Sequence, residues 1–371
     1  MTNDTTRFPG AVLTVNLDAV AANWRSLADR TAGAECGAVV KADGYGLGAA
    51  RISNALRDAG CRRFFVATID EAITLRASLP RTVDIYVLEG LMSCPSAAEF
   101  DAHALIPVLN TPDDVRNWAD HAKRNDDRRA ILSLDTGMCR LGLTPSEALT
   151  IAETPGALDG IELDYVMSHL ACADEPGHPK NDRQRSLFEE IRAKLPPAKA
   201  SFANSAGIFL GAEFHFDLAR PGAALYGVSR GCGAPEPMNQ VIGLKAKILQ
   251  IRVVDTESTV GYGATRTVPA NSRLATVAAG YADGYLRSLS NSGYGYAAGV
   301  KVPVAGRVSM DLTVFDISDV PPDAIGPGDN IDLICDRQTV DDVADAAGTI
   351  GYEILTSLGA RYAKSYTGAA A

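Results

Sequence analysis

A lysine placed directly behind a short apolar run is the residue of this chain best suited to covalent chemistry. In Gly37-Ala-Val-Val-Lys41-Ala-Asp-Gly-Tyr45-Gly-Leu-Gly48, Lys41 follows a run with the character of a buried strand. A lysine in that position loses hydration, its pKa falls, and its amine becomes a nucleophile for a carbonyl. The neighbouring glycines let the backbone approach a ligand closely, although their GxGxG spacing misses the GxGxxG dinucleotide fingerprint. Taken alone, Lys41 also reads as a strand-end lysine snorkelling to solvent. Asp135-Thr-Gly137 matches the aspartic protease triplet, but that chemistry needs two carboxylates sharing a site, and the triplet occurs once.

Composition narrows the field. The chain has 371 residues, a formal net charge of -10, 46% hydrophobic and 22% charged residues. That balance belongs to a folded protein rather than a disordered one. An acidic chain repels phosphates, which argues against wrapping nucleic acid. No apolar run reaches the ~18 residues of a membrane span, and the N-terminal segment lacks the basic and apolar regions of a secretory signal. The seven cysteines (Cys36, Cys61, Cys94, Cys139, Cys172, Cys232, Cys335) include no CxxC pair, which fits a reducing cytosol. The five histidines show neither HExxH nor HxH spacing, so no metal is expected.

The elements that must position these residues alternate. Strand candidates are Ala38–Val40, Phe64–Val66, Ile85–Val87, Leu105–Val108, Ala130–Leu132, Leu163–Met167, Lys199–Phe202 and Phe216–Leu218. Helical spacing covers Ala49–Asp58, Ile69–Leu79, Pro112–Lys123, Pro145–Glu153 and Asp182–Leu195. Eight such β/α units predict a (β/α)8 TIM-like barrel, with a doubly wound open sheet as the alternative. In a barrel, Lys41 stands at the C-terminal mouth, where catalytic groups gather. Beyond residue 240 the pattern becomes β-rich: Ile242–Val254, Leu274–Ala279, Lys301–Val304, Thr313–Phe315 and Asn330–Ile334. A mainly antiparallel C-terminal domain over 241–371 is therefore expected after a barrel domain over 1–240, with the first strand, 11–16, pairing with the C-terminal sheet.

These segments carry a resemblance. The Lys41–Tyr45 segment resembles the pyridoxal 5'-phosphate (PLP) lysine motif of the alanine racemase family, a fold-type III group. Asp135-Thr-Gly-Met-Cys-Arg140-Leu-Gly142, Met167-Ser-His169, Asn204-Ser205-Ala206 and Ala219-Arg220-Pro-Gly222 follow in the family's order. So do Gly261-Tyr262-Gly263, Gly280-Tyr281-Ala-Asp-Gly284, Gly306-Arg-Val-Ser-Met310-Asp311 and Gly351-Tyr352-Glu353. The match spans nearly the whole chain. It implies a PLP-dependent isomerase interconverting L- and D-alanine by two-base proton transfer, of the kind that supplies D-alanine for peptidoglycan precursors. Racemases of serine, lysine or a broader amino acid range, and a non-catalytic PLP-binding protein, are the alternatives.

Roles follow from the resemblance residue by residue. Lys41 holds PLP as a Schiff base and is one base; Tyr262 is the other, although a phenol titrates near pH ~10 and needs help. His169 neighbours that tyrosine. Tyr45, Ser205, Gly222, Ala223 and Tyr352 bind the phosphate, and Arg220 faces the pyridine nitrogen. An arginine cannot accept a proton, so it leaves that nitrogen unprotonated and favours racemisation over decarboxylation or transamination. Arg140 and the Met310 N–H meet the substrate carboxylate, with Tyr281 and Asp311 at the entrance. Three positions depart from the family: Ser133 stands where a lysine is frequent, Cys139 where a glycine is, and Ser201 where a histidine is. The first puts the orientation of Arg140 in doubt, unless a bound anion such as chloride fills the gap. A cytoplasmic, head-to-tail homodimer with shared sites is expected, acting on a small amino acid and on neither nucleic acid nor membrane.

Overall fold

The computed structural model describes residues 8–31, 33–92, 97–123, 128–234 and 236–368, so Cys94 lies outside the described residues. After β1 (Ala11–Asn16), the chain forms β2 (Glu35–Cys36), β3 (Ala38–Val39), β4 (Arg63–Val66), β5 (Asp84–Val87), β6 (Ile106–Leu109) and β7 (Arg129–Ser133). β8 (Glu162–Met167), β9 (Lys199–Asn204) and β10 (Leu218–Arg220) complete the series. The sheet order is β2-β10-β9-β8-β7-β6-β5-β4-β3, with parallel pairing throughout. β2 and β3 flank Gly37, whose N–H donates to the Ala219 carbonyl at 2.9 Å, so one interrupted strand joins both ends of the sheet and closes the barrel. The expected eight-stranded barrel is therefore formed. Ile106–Leu109 is buried at all four residues, as a parallel strand covered on both faces must be.

Helix starts follow local chemistry. Thr111 and Thr144 each cap a helix that has proline in its first turn, and each shares a complete capping box with the acid three residues on, Asp114 and Glu147. The short helix Ala97–His103 and the first helix, Leu17–Arg30, are additions to the expected set.

The N-terminal strand ends carry an ionic lattice. Arg129 donates to both oxygens of Asp84 (2.8 and 2.8 Å) and to both of Asp164 (2.9 and 2.6 Å). Arg63 pairs with Asp84 at 2.7 Å and Glu35 at 3.2 Å, and Lys199 with Glu35 at 3.0 Å. Burial alone would raise the Asp84 carboxyl; Arg129, Arg63 and Arg76 outweigh it and hold it below the usual carboxylate range.

The contacts of the chain group into two compact units. One spans Val20–Leu225 and Ser229–Met238; the other takes the described residues up to Ala19, Tyr226–Val228 and the chain from Asn239 onward. In the second unit, β11 (Ile242–Val253) is followed by β12 (Ser258–Thr259), β13 (Thr267–Val268), β14 (Arg273–Val277), β15 (Tyr294–Ala297) and β16 (Val300–Pro303). Then come β17 (Thr313–Asp316), β18 (Asn330–Ile334) and β19 (Ala363–Thr367). β1 lies between β11, antiparallel, and β19, parallel. The remaining pairs of this sheet are antiparallel, and helices Val340–Ala347 and Gly351–Ser357 accompany it. β12 and β13 form a separate hairpin.

Candidate active site

Lys41 stands two residues past β3, at the C-terminal end of the barrel strands. The backbone behind it turns left-handed: φ is 53° at Ala42, 53° at Asp43, 63° at Gly44 and 56° at Tyr45. Non-glycine residues pay about 1–2 kcal/mol each for that conformation, so surrounding contacts must hold it. The Asp43 carboxylate accepts from the Ala49 N–H at 2.9 Å, and the Glu71 carboxylate accepts from the Ala42 N–H at 2.8 Å. Burial pulls the Lys41 amine below its ordinary pKa and Arg140 adds to the pull; Glu71 and Glu89 oppose it.

Beside Lys41 lies a cradle of small groups. Ser205 directly follows β9 and is buried, and its Oγ accepts from the Gly222 N–H at 2.8 Å and the Ala224 N–H at 3.3 Å. Both lone pairs are then engaged, which leaves the hydroxyl proton to donate. The Ala223 N–H makes no hydrogen bond among the described residues. A Cβ at Gly222 would lie 2.3 Å from the Tyr45 Oη, so no side chain fits there and the phenol sits against bare backbone. Tyr45 is buried, which pushes its phenol pKa up and keeps it a neutral donor.

Arg220 ends β10 and is buried at 3% exposure. One guanidinium nitrogen donates to Ser201 Oγ at 2.5 Å and the other to the Ser168 carbonyl at 2.7 Å. Ser201 in turn donates to the Leu218 carbonyl at 2.7 Å, so the serine at the family's histidine position orients Arg220 with one hydroxyl. Burial draws the guanidinium down to about 9, which still leaves a cation at neutral pH. His169, two residues past β8, is pushed down to about 3 by burial and then by Arg220, Arg140 and Lys41. It is a neutral imidazole at physiological pH. Arg140 is exposed on the segment after β7, where Cys139 takes a φ of 55°. Ser133 is buried at the end of β7, and its carbonyl accepts from Leu143 at 2.8 Å.

The other sequence-expected residues belong to the second compact unit. Tyr262 lies between β12 and β13 and is 72% exposed. Tyr281, Met310 and Asp311 are brought together by backbone: the Tyr281 N–H donates to the Ser309 carbonyl at 3.0 Å and the Ala282 N–H to that of Met310 at 2.9 Å. A Cβ at Gly280 would lie 2.4 Å from both carbonyls, so the close approach requires glycine. The Met310 N–H makes no hydrogen bond among the described residues. Tyr352 lies in the first turn of Gly351–Ser357.

Sequence reasoning passed over several supporting residues. Gln184 accepts from the Ala171 N–H at 2.9 Å and donates to the His169 carbonyl at 3.0 Å, fixing the strand end that carries His169. Arg361 bridges Asp283 at 2.8 Å and Asp311 at 2.6 Å. Only Glu71 left a local signal, the capping-box spacing Thr68-Ile-Asp-Glu71.

The chain matches the alanine racemase N-terminal domain over residues 15–230 and the C-terminal domain over 241–366. It is 52% identical over 362 residues to an alanine racemase of Rhodospirillum rubrum, covering 96% of each chain. It is 47% identical to a catabolic alanine racemase of Mesorhizobium japonicum, covering 97% of this chain and 94% of that one. The crystal structure of alanine racemase from Bartonella henselae with covalently bound pyridoxal phosphate superposes with a TM-score of 0.91 at 41% identity, over 96% of this chain and 99% of that chain. With both domain models matched and relatives of this identity along nearly its full length, the chain belongs to the alanine racemase family.

Proposed function

We propose that this protein is a PLP-dependent alanine racemase interconverting L- and D-alanine. The observation that carries the reading is the barrel mouth: a partly desolvated lysine, a hydroxyl and backbone cradle, and a buried arginine that meets no carboxylate among the described residues. The donor set fits the cofactor. Ser205 keeps its proton for an anionic oxygen, the Ala223 N–H is open, and Tyr45 packs against Gly222. In this reading Ser205, Gly222, Ala223, Tyr45 and Tyr352 hold the phosphate, Lys41 holds the carbonyl carbon, and His169 and Arg220 contact the ring. This assigns PLP binding to residues 1–240, with Tyr352 as the one phosphate contact from 241–371, which also supplies the covering groups. When bound, PLP supplies a sink for the electrons left after the substrate's α-proton is removed.

The chain's own residues do the rest. Once the substrate's amine has taken its place on the carbonyl carbon, the freed Lys41 Nζ, its pKa lowered by burial, would take or return the α-proton on one face. Tyr262 Oη serves the opposite face, which inverts the centre. Arg220 cannot accept a proton, so it would leave the ring nitrogen of bound PLP unprotonated and the ring a weaker electron sink. Neutral His169 has a ring nitrogen able to accept from a phenol. Arg140 and the Met310 N–H orient the substrate carboxylate, with Tyr281 and Asp311 at the entrance.

A head-to-tail homodimer in which Tyr262 and Met310 serve the partner's site is part of the proposal, supported by the exposure of both residues. Among the described residues no helix is long and apolar enough to cross a membrane, and we assign the enzyme to the cytoplasm. The decisive experiment is L-alanine turnover followed by optical rotation, with a panel of other amino acids beside it. Loss of rotation with alanine foremost supports the reading; inert alanine would overturn it. Full activity of a monomer in the ultracentrifuge would remove the shared site.

A further inference from the structure

Helix starts of the form Thr-x-x-acid occur at Thr68, Thr111, Thr144 and Thr339. In three of them the acid reaches back to the N-cap N–H: Asp114 to Thr111 at 3.1 Å, Glu147 to Thr144 at 2.9 Å, and Asp342 to Thr339 at 2.8 Å. At Thr68 only half of the box forms, the Glu71 N–H donating to Thr68 Oγ1 at 3.2 Å. The Glu71 carboxylate is diverted. One oxygen accepts from the Ala67 N–H at 2.8 Å, just past β4; the other accepts from the Ala42 N–H at 2.8 Å, just past Lys41. Ala42 opens the left-handed turn, so a right-handed helical ladder offers its N–H no acceptor. Glu71 supplies that acceptor and ties the lysine segment to the neighbouring strand end.

We propose that Glu71 is a positioning residue for Lys41, fixing the peptide bond that follows the lysine and thereby the left-handed turn that aims its amine. The inference rests on Lys41 being the cofactor lysine. Without the carboxylate, the 41–42 peptide is free to rotate toward the ordinary right-handed region, which swings the lysine stem away from the mouth. The same carboxylate also raises the amine's affinity for a proton, against burial and Arg140.

The test uses the full chain with Glu71→Gln, Glu71→Asp and, as control, Glu147→Gln, whose acid caps a helix without touching the lysine segment. In the cofactor-free protein, the pH dependence of Lys41 acylation is read by peptide mass spectrometry. In the PLP-loaded protein, kcat and KM are measured in both directions. Glu71→Gln is expected to move the Lys41 titration to lower pH and to lower kcat by about 10- to 100-fold, the scale of a misplaced reacting group, with KM within about twofold. Glu71→Asp keeps the charge but is too short to span both amides, so it should restore the titration and not kcat. Glu147→Gln should change neither. Unchanged titration and kcat in Glu71→Gln would make Glu71 an ordinary cap and overturn the proposal. Equal loss of kcat in Glu147→Gln would assign the effect to general destabilisation and overturn it likewise. A wild-type chain whose Lys41 is not the residue modified by PLP would overturn the underlying reading instead.

Discussion

At the N-terminal end of the barrel, Arg63, Arg129 and Lys199 are matched against Glu35, Asp84 and Asp164, with fork-on-carboxylate geometry at Arg129. At the C-terminal end, Lys41, Arg140 and Arg220 have no carboxylate within ion-pair distance among the described residues, and Glu71 spends its oxygens on backbone N–H groups. The same residue types thus do opposite things. Below, each charge is answered and the carboxyl pKa values of Asp84 and Glu35 fall. Above, burial and then the neighbouring cations lower the proton affinity of the imidazole and the amine. One end holds the strands in register; the other stores an unanswered positive field that an anionic cofactor and substrate would complete.

The largest expected effect breaks the mouth alone. Lys41→Ala should lower racemisation by about 10⁴-fold, the upper range for a lost acid–base group, and remove the visible band of the PLP-bound protein. Its cofactor-free melting temperature should hold or rise, because one unanswered cation is gone; a lower melting temperature would contradict the account of the mouth. Next comes the floor. Arg129→Met leaves Asp84 and Asp164 facing each other, and should cost about 2 kcal/mol in urea unfolding, a value reduced from the buried-pair range for the partial exposure of Arg129. Its kcat should stay within twofold of wild type.

The third effect separates the two ends by pH. Unfolded His169 binds a proton below about 6.5, whereas in the folded chain it does so only near about 3. Between those values the unfolded state takes a proton that the native state refuses. The contribution is complete above the upper value and is lost as pH falls toward the lower one. Asp84 and Glu35, whose pKa values are lowered, also lose their contribution on acidification, but only below the ordinary carboxylate range. Cofactor-free wild type should therefore weaken first through the histidine and then through the floor, and His169→Asn should flatten only the first phase of urea midpoints against pH. The smallest effect concerns the cradle. Ser205→Ala removes, besides the two bonds the hydroxyl accepts from the Gly222 and Ala224 N–H groups, the one it would donate to the phosphate, about 1–1.5 kcal/mol, and should weaken PLP binding about tenfold by equilibrium dialysis.

Much of this architecture is legible in local patterns. Runs such as Phe64–Val66 and Ala130–Leu132 are too short and too apolar to be anything but covered strands, and Thr111-Pro112 and Thr144-Pro145 mark helix starts by chemistry that needs no tertiary context. Lys41, His169, Ser205 and Arg220 could be placed because each lies at a strand end or within two residues of one. What stayed hidden depends on partners far along the chain. Nothing near Thr68-x-x-Glu71 says that its carboxylate will leave its own helix for Ala42. The left-handed turn runs through Ala42, Asp43, Gly44, Tyr45 and Gly46, and two glycines are too weak a signal for five positive φ angles in succession. Arg361 meets Asp283 and Asp311 only because two loops of the second unit fold side by side.

The position of β1 between β11 and β19 has a consequence for biosynthesis. β1 leaves the ribosome early, yet one of its neighbours ends at Val253 and the other at Thr367. At about 5–20 residues per second, the nascent chain carries that alternating strand with an open edge for tens of seconds. The barrel needs nothing beyond Met238 among its own contacts and is able to close meanwhile. Of the described strands, the first to emerge is thus among the last to be sealed, and a nascent chain stalled before Ala363 would present a ready template for pairing with its neighbours on the same message.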